Sequence, residues 1–112
     1  MGYNPDKKGI NTSKVAITEQ EKEVFRSIGN NEKGAIEAVY KENYGLIQHF
    51  VISNNGTEDD ARDIFQEAMI VLYEKSLQPD FELRCRLKTF LYSICRRLWL
   101  KKLQQNQGRT IK

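Results

Sequence analysis

Apolar residues recur along this chain at steps of three and four, and polar breaks divide them into four helical runs. A short first helix is expected to start after Thr18, an N-cap with Glu21 in capping-box position, and to carry Val24, Phe25 and Ile28 on one side. Gly29-Asn30-Asn31 stops it. A second helix spans about residues 32–54, with Ala35, Val39, Tyr40, Leu46, Ile47, Phe50 and Val51 as its apolar set and Gly45 as a point of bending or weakness. Asn54-Asn55-Gly56 closes it. Thr57 then caps a third helix whose first turn, Glu58, Asp59 and Asp60, complements the positive end of the helix dipole. That helix reaches Leu77, where Gln78-Pro79-Asp80 forces a break. A short loop leads to a long final helix over about residues 85–105. No period-two run marks a strand, so the pattern predicts an all-α fold, a small helical bundle of three main helices plus a short N-terminal helix. Residues 1–18, polar and aperiodic, read as a disordered arm, residues 19–106 as one domain and residues 107–112 as a linker or tail.

At 100° per residue, Ala61, Ile64, Phe65, Ala68, Val71 and Leu72 share one face of the third helix and form its core stripe. A second apolar group lies on the reverse. Asp59, Arg62, Gln66, Met69, Ile70 and Tyr73 face away from the core, with Asp63 and Glu67 on their flank. Water does not favour an exposed Met, Ile and Tyr together, and these residue types are common in protein interfaces. The same stripe also fits a helix covered on both sides within its own domain. On the final helix Leu87, Phe90, Leu91, Ile94, Cys95 and Leu98 form the core stripe. Opposite them come Lys88, Tyr92, Arg96 and Trp99, with Arg97 and Lys101 on the edge; Trp99, Leu100 and Leu103 are expected to point away from the core. Aromatic rings interleaved with cations can stack on exposed bases while the cations hold phosphates.

The charge distribution sharpens this picture. Residues 1–56 carry seven basic and seven acidic side chains, residues 57–83 two and eight, and residues 84–112 nine and none. A net charge of +3 therefore hides two opposite surfaces, which points to two partners, one of them polyanionic. Cys85 and Cys95, ten positions apart, would sit ~15 Å apart along a helix, too far for a disulfide. Free thiols and a cytoplasmic protein are expected. No apolar run is long enough to span a membrane, and no signal-peptide pattern is present. His49 stands alone, and no nucleophile–base pair or phosphate-cradling glycine loop accompanies the carboxylates of residues 58–63. Neither catalysis nor a metal or cofactor is expected.

The segment EDDARDIFQEAMIVLYEK, then a proline-containing loop, then LKTFLYSICRRLWLKKL, resembles the second conserved region of sigma-70 family transcription initiation factors, most closely the extracytoplasmic-function class. Asp60, Ala61, Asp63, Gln66 and Glu67 match its acidic run, and Phe90, Leu91, Tyr92 and Ile94 the start of its basic helix. Gly34, Ala35, Ile36, Tyr40 and Tyr44 resemble its first helix. The resemblance implies that the acidic helix docks on the clamp helices of the largest subunit of core bacterial RNA polymerase, through Asp63, Gln66, Glu67, Met69, Ile70 and Tyr73. It further implies that the basic helix and the loop before it recognise and melt the promoter minus-ten element and hold a flipped base of the non-template strand. Arg84, Arg86, Lys88, Tyr92, Arg96 and Arg97 are the carried-over residues, to which the helix's own pattern adds Trp99 and Lys101. An anti-sigma factor is a possible third partner. Where the family's basic helix commonly has Trp, Asn and a later Asp, this chain has Phe90, Arg97 and Lys101; Arg97 keeps a donor but loses the amide acceptor used to read a base, and Lys101 adds a charge that favours backbone contact over base readout. The family's second domain, a helix-turn-helix for the minus-thirty-five element, has no counterpart in these 112 residues, so either an isolated domain or a truncated piece of a longer protein is expected. The competing expectation is a helical adaptor that uses the Met69, Ile70 and Tyr73 patch and does not bind DNA.

Overall fold

In the computed structural model, residues 17–111 are described, with side chains described for residues 17–105; the expected N-terminal arm lies outside them except for its last two residues. Four helices follow in order: α1 (Glu19–Gly29), α2 (Lys33–Ser53), α3 (Glu58–Leu77) and α4 (Leu87–Ile111). The fold is all-α, with no strand among the described residues.

Local chemistry sets the helix ends. The Glu21 backbone N–H donates to Thr18 Oγ1 at 3.0 Å and starts α1 as expected. The Glu21 carboxylate does not complete a box with Thr18. It reaches the start of α4 instead, where Oε1 accepts from the Leu87 N–H at 3.1 Å and Oε2 from Arg86 Nε at 3.3 Å. α3 has the full box: Thr57 Oγ1 accepts from the Asp60 N–H at 3.1 Å, and the Asp60 carboxylate accepts from the Thr57 N–H at 2.9 Å. That second bond, with Lys102 nearby, holds the Asp60 carboxyl below the usual carboxylate range. The turns before α2 and α3 each place an asparagine in the left-handed region, Asn31 at φ 60° and Asn55 at φ 74°. α2 runs through Gly45 without interruption.

α3 is the central helix and packs against the other three. It buries Ala61, Ile64, Phe65, Ala68 and Leu72, while Val71, expected in the stripe, is only half-buried. α2 buries Val39, Asn43, Ile47 and Val51, a row at spacing four, and leaves Leu46 42% exposed, against expectation. α1 contributes Phe25 and Ile28, which close one end of the core.

α4 differs most from its sequence pattern. It starts two residues later than expected and continues to Ile111, through residues expected to form a tail. Its buried positions are Leu87, Leu91, Ile94, Cys95 and Trp99. Trp99, expected on the outward face as a DNA contact, is 2% exposed and belongs to the core. The indole is satisfied there, because Nε1–H donates to the backbone oxygen of Asn54 at 3.1 Å, in the turn after α2. Gly56 makes the room: a Cβ at that position would lie 2.3 Å from Val51 Cγ1 and 2.8 Å from Trp99 Cζ2. Leu98, expected in the core, is half-buried, as is Leu103, while Leu100 is exposed. Both cysteines are free, and burial pushes the Cys95 thiol up to about 12.

Candidate functional site

The outward surface of α3 divides into an apolar end and an acidic end. At the apolar end Met69 is half-buried, Ile70 is 58% exposed and Tyr73 is exposed. These three do not form a flat stripe. With Ile28 of α1, Asn31 of the α1–α2 turn and Ile36 of α2 they line a shallow groove of about 360 Å³. The pattern of α3 alone could not reveal the walls supplied by Ile28 and Ile36, because those come from other helices. Asp63, Gln66 and Glu67 are exposed beside the groove, and among the described residues Asp63 and Glu67 pair with no cation. Arg62, by contrast, is engaged by Asp59 and, at 3.6 Å, by Glu58. The helix therefore offers two uncompensated carboxylates next to exposed apolar side chains.

The basic surface is built from α4 and the loop before it. Lys88, Arg96, Arg97 and Lys101 are all exposed and have no carboxylate partner among the described residues. They form two rows. Lys88, Tyr92 and Arg96 follow one another at spacing four on the side toward α2, while Arg97 and Lys101 lie on the other flank. Tyr92 is half-buried, its ring set edge-on to Phe50 of α2 at 5.4 Å and 69°. Phe50 thus takes the aromatic place expected for Trp99, which the core removes from this surface. Its signal was a half-exposed aromatic near the end of α2, which by itself reads as core.

The loop over residues 78–86 is anchored along its length. Phe81 packs between Phe25 and Phe90 at 5.8 and 5.5 Å, the Lys75 ammonium lies 5.5 Å from the Phe81 ring centre, and Leu83 is buried. Arg84 and Arg86 project outward on either side of half-buried Cys85. Arg84 lies 3.9 Å from Glu82, too exposed a contact to hold it. Arg86 is the better fixed of the two, through Glu21. Beside it, α1, α2 and the start of α4 enclose a cleft of about 480 Å³ lined in part by Glu21, Glu42, Asn43, Arg86 and Lys88. Asn43 is buried in the row of α2; its Nδ2 donates to the Val39 oxygen at 2.8 Å, and its Oδ1 has no partner. A polar residue in an otherwise apolar row at spacing four was the one sequence signal for this cleft.

No group of His, Cys, Asp and Glu that could hold a metal exists among the described residues. Nor is any described helix long and apolar enough to cross a membrane. The arrangement presents a partly apolar acidic surface on α3 and a cationic surface on α4. A family model described as Sigma-70 region 2 matches residues 39–109, a stretch that holds α3 with its exposed carboxylates and the cations of α4 and leaves out α1, Asn31 and Ile36. No curated protein and no solved structure matches the chain.

Proposed function

The chain belongs to the sigma-70 region 2 family, and from that premise we propose that it is a promoter-recognition module of the extracytoplasmic-function type. It joins core bacterial RNA polymerase through α3 and melts the minus-ten element with α4 and the preceding loop, working in the cytoplasm without chemistry of its own. The observation that carries this reading is the segregation of uncompensated charge within the matched segment. Among the described residues Asp63 and Glu67 have no cation partner on α3, and Lys88, Arg96, Arg97 and Lys101 no carboxylate partner on α4. Charges held on a folded surface without partners repel their own kind and attract the opposite one, so each surface is set for a different polyion.

The roles follow from geometry. Ile70 and Tyr73 present the apolar contact at the centre of the α3 surface, and Asp63, Gln66 and Glu67 form its polar rim, the anatomy of a protein interface. On α4 the two rows of cations hold the phosphates of a strand. The Tyr92 ring, supported by Phe50, offers an edge of aromatic surface to an unstacked base. Trp99 has no part in stacking; it fixes α4 to the turn before α3, so that the two surfaces keep a constant relation. The direct test is capture of purified core RNA polymerase by this chain, followed by binding of premelted duplex DNA to the complex. Capture of core without any gain in DNA binding would support the adaptor reading instead.

A further inference from the structure

Glu21 occupies an unusual place: it belongs to α1, outside the matched segment, yet its side chain ends at the start of the basic helix 65 residues away. One carboxylate oxygen accepts from the Leu87 N–H, the first orphan donor of α4, and the other accepts from Arg86 Nε. The Glu21 side chain is 22% exposed and that of Arg86 68%. A guanidinium presents several N–H edges in a rigid fork. Glu21 engages the Nε edge of Arg86, and among the described residues no other contact holds its two terminal nitrogens. An aromatic chain, Phe25 to Phe81 to Phe90, ties α1 to the same loop from the other side.

We propose that Glu21 is a positioning residue for promoter DNA: it caps α4 and holds Arg86 by one edge so that the remaining edge faces a phosphate at the loop–helix junction. The inference rests on the reading of α4 as the DNA-binding helix. Its consequence runs against simple electrostatics. Removing a carboxylate from beside a polyanion site raises local positive charge and by itself tightens binding. Removing a positioning residue releases Arg86 and weakens it.

The test uses the complex of this chain with core RNA polymerase and a fluorescent premelted duplex whose unpaired segment is randomised. Glu21→Gln is the informative variant, because its amide oxygen can still accept from the Leu87 N–H while the ion pair is lost. It should weaken DNA binding by about threefold or more, leave core binding unchanged, and cause no loss, or a gain, in an Arg86→Ala background. Arg86→Lys, which keeps the charge but not the fork, should weaken binding as Glu21→Gln does. Unchanged or tighter binding by Glu21→Gln, or an equal loss with and without Arg86, overturns the proposal while leaving the promoter reading standing. A wild-type complex that binds no DNA overturns both.

Discussion

The indole of Trp99 fills the seam between α4 and the turn after α2, and two features there depend on it. Its ring takes the space that Gly56 leaves open, and its N–H satisfies the Asn54 oxygen. Trp99→Ala should therefore cost about 3–5 kcal/mol of stability in urea unfolding. Trp99→Phe keeps much of the ring but strands the carbonyl, and should cost about 1–3 kcal/mol. Cys95 gives a second residue-scale expectation. Burial raises its thiol from 9.0 to about 12, so between those values the unfolded chain loses a proton that the folded chain keeps. Stability from this group is complete below pH 9.0 and falls as pH rises toward about 12. A urea midpoint measured across that range should drop less steeply in Cys95→Ala than in the parent.

Each helix carries its own prediction. On α3, Gln66→Ala with Ile70→Asp alters exposed positions away from the buried row, so the circular dichroism spectrum and melting should be kept. Core polymerase binding should fall by at least ~2 kcal/mol, because a charge replaces an apolar contact at the centre of the surface. On α4, Lys88→Ala and Arg96→Ala should each weaken DNA binding across sequences and lower the salt slope by about one. The two helices were not equally legible in the sequence. α3 was read to its ends, because Thr57, Asp60 and Pro79 punctuate it and its outward face is separated from its buried one. The pattern of α4 alone gives the wrong phase toward its C-terminal half. Leu87, Leu91, Cys95 and Trp99 are buried at steps of four, and each such step turns about 40° past a full circle, so the buried row winds round the helix. A stripe fixed at Leu87 then assigns Leu98 to the core and puts Trp99 outside. Val39, Asn43, Ile47 and Val51 wind in the same way on α2, which is why Leu46 was misplaced.

At the scale of the molecule, what pattern could supply was the fold class, the four helices and the opposed charges of residues 57–83 and 84–112. What it could not supply was contact between distant positions. Glu21 with Leu87, Trp99 with Asn54, and the Ile28 and Ile36 walls of the groove all join residues from separate elements, and local periodicity is blind to such pairs. These contacts set the candidate surfaces: one removes an aromatic from the cationic side of α4, one steadies an arginine, and one turns an apolar stripe into a groove. The burial of Trp99 also makes the molecule its own spectroscopic gauge. The chain has one tryptophan, so all indole emission comes from the seam between α4 and the turn before α3. Iodide should quench it poorly in the native protein and well after unfolding. Oligonucleotide added to the complex with core polymerase should leave the light from this tryptophan unchanged, as judged against a Trp99→Phe control, whereas a ring stacked on bases would be dimmed.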